Sequence, residues 1–156
     1  MDALTLLKAD HDRLRKLLDE LESTTERGIK TRQELFSTIK GELTIHEVIE
    51  EEIFYPALLE MAKTRDITLE SYEEHHVVDL LMAELEDLDV ADERWGAKAK
   101  VMHENVEHHM GEEEGEMFTK TRQVFEEQEL RQLGERMAAR KESAAQELGV
   151  PLSIVR

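Results

Sequence analysis

Leu4, Leu7, His11, Leu14, Leu18 and Leu21 recur at spacings of three and four, which is one face of an amphipathic helix over residues 2–26. The same spacing predicts a second helix over residues 31–63, through Ile39, Leu43, His46, Ile49, Glu50 and Ile53. Pro56 falls inside it, and its missing N–H and ring clash call for a kink or a short break there. A third helix is expected over 68–87 through Tyr72, His75, Val78, Met82 and Leu85, and a fourth over 91–118 through Met102, Val106, His109, Glu113 and Met117. A fifth, more ordinary amphipathic helix is expected over 126–147, stopped by Gly149 and Pro151. Four long helices with short connections predict an all-α, antiparallel up-and-down four-helix bundle, with the fifth helix covering one side. Residues 1–122 would then form the bundle, and residues 123–156 a C-terminal helix and tail packed on the same domain.

Composition narrows the chemistry more than the fold. A chain of 156 residues suits one domain, and 40% hydrophobic with 37% charged residues, two prolines and seven glycines suits helices. There is no cysteine, so disulfides and thiolate metal sites are excluded and any metal must use imidazole or carboxylate. The formal charge of −17, from 37 acidic against 20 basic residues with no basic stripe, repels phosphate backbones and anionic lipid. The N-terminus shows no basic flank followed by a long apolar run, and no stretch of about 18 apolar residues could span a bilayer. The expectation is a soluble, cytoplasmic protein without nucleic-acid or membrane partners.

The stripes carry polar residues that a core helix does not need. DHDRLRKLLDELE from Asp10 aligns without gaps to EHHVVDLLMAELE from Glu74, pairing His11 with His75 at an offset of 64. HEVIEEEIFY aligns to HMGEEEGEMF, pairing His46 with His109 and Glu50 with Glu113 at an offset of 63. Helices one and two thus repeat as helices three and four, with a pseudo-twofold axis between them. Six polar groups, His11, His46, Glu50, His75, His109 and Glu113, would meet about that axis. Each buried polar group without a partner costs roughly 1–3 kcal/mol, and two metal ions would satisfy all six. Residues four apart share a helix face, so each His-x-x-x-Glu can place nitrogen and oxygen on one ion. Imidazole and carboxylate without thiolate favour iron, with zinc and manganese as the other candidates. Two six-coordinate ions offer about twelve positions. Four imidazoles, two bridging carboxylates (Glu50 and Glu113) and one bridging oxygen fill about ten and leave about two open.

Blander readings compete at each position. A lone histidine on an apolar face is more often a hydrogen-bonded core residue, and it is the symmetry of four that changes the balance. His76 and His108 fall off the stripes and read as solvated, and His103 lies beside one. In the glutamate runs, Glu52, Glu112 and Glu114 read as a solvated face, with Glu51 undecided. Tyr55 and Phe118 read as packing at the bundle end, although a tyrosine near a metal could donate a hydrogen bond or an electron, and the same applies to Tyr72. Met82, Met102 and Met117 read as core filler. Ferritin-like bundles need Glu-x-x-His twice, and Glu73 with His76 is a single match. Phosphate-binding glycine loops and nucleophilic triads are absent.

Taken together, the DH motif with its leucine stripe, HEVIEEEIFYP, EEHHVVDLL and HHMGEEEGEMF resemble the hemerythrin-like, or HHE cation-binding, family over about residues 3–120. The resemblance implies a bundle holding two non-haem iron ions bridged by an oxo or hydroxo group. It also implies binding of peroxide, dioxygen or nitric oxide, or iron sensing. Oxygen carriers of this family have a further histidine one turn before the third-helix histidine, where this chain has Ser71. They also have a longer spacing from histidine to carboxylate on the fourth helix than His109 to Glu113. One ligand fewer implies a more open centre and tilts the expectation toward catalase- or peroxidase-like chemistry. The alternative is a non-enzymatic module for binding, sensing or storing iron, oxygen or nitric oxide. Some relatives recruit the carboxylate after the second-helix histidine, here Glu47.

Overall fold

The computed structural model describes residues 1–151; residues 152–156, the end of the expected C-terminal tail, lie outside them. Seven helical segments follow in order: α1 (Ala3–Glu22), α2 (Ile29–Ile49), α3 (Tyr55–Leu59), α4 (Ala62–Asp87), α5 (Glu93–Glu112), α6 (Phe118–Val124) and α7 (Glu127–Leu148). Two π-helical turns, Glu50–Phe54 and Glu113–Met117, join α2 to α3 and α5 to α6. The second bundle helix is therefore α2 and α3 with their π turn, and the fourth is α5 and α6 with theirs. Together with α1 and α4 they close the antiparallel four-helix bundle: α1 packs on α2 and α5, and α4 packs on α3 and α5.

The helix ends follow local chemistry. Asp2 caps α1 by accepting from the Thr5 N–H at 2.8 Å, and Asp92 caps α5 through Arg94 N–H at 2.8 Å. Glu126 and Glu129 form a reciprocal capping box at α7. Gly149, at φ 69°, ends α7 in the left-handed conformation, and the Val150 N–H reaches back to Ala145 O at 2.8 Å.

The expected irregularity at Pro56 takes the form of a π turn directly before it, with helical backbone continuing to Leu59. The π turn before it already hands the chain to i→i+5 bonding, with Tyr55 N–H donating to Glu50 O, and the proline sits in the first turn of α3. A missing N–H costs little there. The break comes later, at Met61, whose extended backbone (φ −106°, ψ 126°) turns the chain into α4 six residues earlier than the stripe through Tyr72 suggests. The buried Thr64 hydroxyl closes that corner by donating to Leu58 O at 2.6 Å.

Two apolar clusters fill the bundle. One gathers Leu4, Leu7, Ile49, Phe54, Leu58, Met117 and Phe118 with Leu130, Leu133 and Met137 of α7. The other gathers Leu14, Leu18, Ile39, Leu43, Met82, Leu85, Trp95 and Met102. On every bundle helix the six polar residues of the repeat lie between the two. Arg32, buried at the loop end, donates to Thr24 O (3.1 Å) and Val90 O (3.0 Å), tying together the two loops that the repeat relates.

α7 packs chiefly on the α1–α2 side. Its approach depends on Gly134, where an added Cβ would stand 2.2 Å from Met1 O and 2.8 Å from Ala3 N. Those neighbours are backbone atoms at the N-terminus of α1 and cannot rotate away. Gly134→Ala is therefore expected to lower stability by about 1–3 kcal/mol, read as a lower urea midpoint. An unchanged midpoint would show that α7 has room to shift.

Candidate metal centre

The six polar residues converge. One oxygen or nitrogen from each of His11, His46, Glu50 and Glu113 fits within a 4.8 Å group, and Glu50, His75 and His109 make a second such group sharing Glu50. All six are at most 5% exposed. Every imidazole turns Nε2 inward. Glu50 Oε1 lies 3.2 Å from His46 Nε2 and 3.0 Å from His75 Nε2. Glu113 spans the layer, with Oε1 3.1 Å from His11 Nε2 and Oε2 3.4 Å from His109 Nε2.

His75 Nε2 and Glu50 Oε1 hydrogen-bond, but the other contacts leave buried groups unsatisfied. His11 Nε2, His46 Nε2, Glu50 Oε2 and Glu113 Oε1 are buried and have no hydrogen-bond partner. Nitrogen and oxygen about 3 Å apart without hydrogen-bond geometry point toward a shared third position rather than at each other. A donor set of imidazole and carboxylate gathered in this way fits a divalent cation.

The outward nitrogens are fully engaged, each by a carboxylate. His11 Nδ1 meets Glu114 at 2.8 Å, His46 Nδ1 meets Asp10 at 3.0 Å, His75 Nδ1 meets Glu51 at 2.9 Å, and His109 Nδ1 meets Glu74 at 2.7 Å. An Nδ1–H donated outward leaves the Nε2 lone pair facing in, the tautomer a metal requires. The four carboxylates obey the repeat: Asp10 and Glu74 each precede a helix-opening histidine of the repeat, and Glu51 and Glu114 each follow a central glutamate. Glu114 is thus not the solvated residue its acidic run suggests; Arg15 also holds it, at 2.6 Å. Lys141 of α7 in turn pairs with Asp10.

The electrostatics follow from this packing. Burial opposes a charged His46, but Glu50 and Asp10 outweigh it and raise its pKa to about 10. His75 is raised to about 9 against its burial by Glu50 and Glu51. His109 rises well above its usual range, with Glu113, Glu50 and Glu74 overcoming burial. Glu50 is held well below the carboxylate range, since the surrounding imidazoles outweigh its burial.

Tyr55 is a residue at the centre that the stripe pattern did not place. Its hydroxyl donates to Glu113 Oε2 at 2.5 Å and lies 3.2 Å from His75 Nε2 and 3.3 Å from His109 Nε2. It also comes within hydrogen-bonding reach of Ser71, one turn before His75. Burial and the nearby Glu113 and Glu50 push the phenol well above its ordinary pKa, keeping it protonated. The signal was the aromatic ending both copies of the repeat, Tyr55 and Phe118. In an α-helix it would lie about 140° around from the glutamate five residues earlier. The π turns, closed by Tyr55 N–H to Glu50 O and Phe118 N–H to Glu113 O, bring it back over that glutamate. Phe118 stacks on His11 at 6.2 Å between ring centroids, while Tyr55 lies 5.3 Å from His75.

Residues outside the six behave variously. His76 is exposed and His108 largely so, facing Glu112 at 3.2 Å. His103 stands 3.6 Å from Asp19, away from the centre. Glu47 groups with Glu51 and His75 rather than with His46 and Glu50, and burial together with Asp79 pushes its carboxyl up to about 9. Tyr72 packs edge-on to Tyr55 at 5.1 Å.

Comparison with known proteins bears on the fold and the family. A crystal structure of a hemerythrin HHE cation binding domain-containing protein, the Rv2633c homolog from Mycobacterium kansasii, superposes with a TM-score of 0.82 at 25% identity, covering 100% of this chain and 98% of that one. A curated protein from Nostoc sp. (strain PCC 7120 / SAG 25.82 / UTEX 2576) described as a DNA nickase is 24% identical over 96% of this chain, which spans 42% of that protein's length. The pattern describing the hemerythrin HHE cation binding domain matches residues 2–121, and the chain belongs to that family.

Proposed function

We propose that the protein is a non-haem di-iron protein whose centre is held by His11, His46, Glu50, His75, His109 and Glu113. Its reaction on this reading is with peroxide, and dioxygen and nitric oxide are its other small ligands. The observation that carries the reading is the set of buried, inward-facing nitrogens and oxygens without hydrogen-bond partners between two apolar clusters. Glu50 and Glu113 would be the residues shared between the two ions, because each carboxylate reaches imidazoles of both halves.

Iron bound there would supply the redox and Lewis-acid chemistry. The chain does the rest. The four outward carboxylates fix the imidazole tautomers, and the apolar clusters keep bulk water out. The Tyr55 hydroxyl, 2.5 Å from Glu113 Oε2, holds a proton beside His75 and His109, where an oxygen ligand could take it up. Peroxide disproportionation suits such a site because it needs no outside reductant. One peroxide becomes two waters by taking the two electrons and two protons that another releases on becoming dioxygen. A proton donor beside the histidines, with Ser71 in place of the oxygen carriers' extra histidine, favours turnover over reversible binding. Two wide surface clefts, around Leu81, Leu88, Arg94 and Val101 and around Phe36 and Val90, lie away from the six residues, whose burial suits small ligands.

His46→Ala and Glu113→Ala are expected to purify with metal content reduced by half or more, while the exposed His108→Ala keeps it. Metal quantification with an optical spectrum decides this, and equal content in all three variants refutes the ligand set. Iron-loaded wild type should evolve oxygen from peroxide. Tyr55→Phe should keep its iron and lose about tenfold or more of that rate. Inertness of the loaded wild type, with a reversible oxygen spectrum, would instead favour the binding or sensing module.

The metal-stripped protein should also show a pH signature. His46 and His75, raised to about 10 and about 9, contribute stability that is fully present below about pH 6.5 and lost as pH rises through those values. Metal binding needs neutral imidazoles and strengthens over the same range. Stripping metal should therefore lower the thermal midpoint little near about pH 6 and much more near about pH 9. An equal loss at both would contradict the histidine assignment.

A further inference from the structure

The repeat relates the two flanks of the centre, but their chemistry differs. On one flank Glu114 accepts from His11 and is neutralised by Arg15 at 2.6 Å, with the buried Met110 at the repeat position of Glu47. On the other, Glu51 replaces Glu114, Asp79 replaces Arg15 and Glu47 replaces Met110. A guanidinium and a thioether have become two carboxylates. Among the described residues no lysine or arginine forms an ion pair with Glu47, Glu51 or Asp79, and the Glu51 carboxylate is hydrogen-bonded by His75 Nδ1, at 2.9 Å.

Glu47 shows that this flank is built around something. It is 6% exposed, and its Oε1 is buried with no hydrogen-bond partner. A Glu47 oxygen, a Glu51 oxygen and a His75 nitrogen lie within 4.8 Å of one another, and Asp79 comes within hydrogen-bonding reach of Glu47 from the exposed side. A cation is already present at the related position of the other flank, in covalent form, as Arg15.

We propose that Glu47, Glu51 and Asp79 form a third divalent-cation site beside His75, outside the six-residue centre, taking a hard ion such as Mn²⁺ or Fe²⁺ on carboxylate oxygens. It rests on the proposed centre only in taking His75 Nε2 to face inward. Three carboxylates with one buried wall and one exposed mouth suit an oxygen-preferring ion that keeps part of its water shell. The site is asymmetric because Arg15 neutralises its counterpart.

The test is Mn²⁺ stoichiometry and location in the full chain. Wild type, Asp79→Arg and Asp79→Asn are dialysed against millimolar Mn²⁺ and their metal counted, and crystals of the first two are measured for anomalous scattering from manganese. Asp79→Arg copies the Arg15 arrangement at an exposed position, so the fold should tolerate it. Wild type should bind one more ion per chain than Asp79→Arg and show an anomalous peak among the three carboxylates that the variant lacks. Asp79→Asn should weaken that ion by about tenfold. Equal ion counts in wild type and Asp79→Arg, or no peak at this flank, overturn the proposal. The proposed centre is judged separately, by peaks among the histidines and by their loss in Glu113→Ala.

Discussion

Six ionisable side chains in the middle of an apolar core set the terms for the rest of the molecule. A buried polar atom without a partner costs roughly 1–3 kcal/mol, and the layer holds four at its centre, His11 Nε2, His46 Nε2, Glu50 Oε2 and Glu113 Oε1. Packing cannot relieve them, because each faces others of its kind. The layer is stabilised from outside instead, by one carboxylate on every Nδ1. Surface ion pairs are individually weak, but Lys141 on Asp10 and Arg15 on Glu114 act through position. They hold the acids that hold the imidazoles. α7, which looks like an added cover, is in this way connected to His46.

The same constraint reaches the backbone. Two π turns stand at the repeat-related glutamates and nowhere else among the described residues. Such turns are rare and cluster at functional sites. Here each one starts on a central glutamate and ends on the residue before an aromatic that lies against a histidine ring. A regular α-helix would leave these aromatics facing elsewhere. The widened turn completes the walls of the centre, and Pro56 follows it in the first turn of α3.

Most of the bundle was legible because burial follows period: leucines at three and four mark faces whatever surrounds them. The central layer was legible for a different reason, since polar residues on those faces repeated at a fixed offset. What escaped did so for physical causes. Glu114 and Glu51 sit in runs of acid, where solvation is the ordinary fate, and only the neighbouring helix's histidine draws them in. Asp10 and Glu74 stood beside the histidines in both halves, so their role was written in the repeat but needed the helix crossing to become visible. Tyr55 was obscured by the assumption of α-helical period across a π turn. The start of α4 was misjudged because residues 62–67 serve a corner closed by Thr64 rather than a continuous stripe.

A perfectly symmetric duplication would make two equivalent metal positions, and three differences across the repeat prevent that. Tyr55 stands against Phe118, Glu47 against Met110 and Asp79 against Arg15. All three polar or acidic members fall around His75, while their counterparts surround His11. On the His11 side an aromatic ring stacks on the imidazole and a guanidinium neutralises Glu114. On the His75 side a protonated phenol meets the inner nitrogen and an uncompensated acidic flank meets the outer one. Under the proposed function, the end of the centre near His75 and His109 is therefore where ligands are protonated, and the end near His11 and His46 anchors the pair. The duplication supplies the cage, and the departures from it supply the direction of the chemistry.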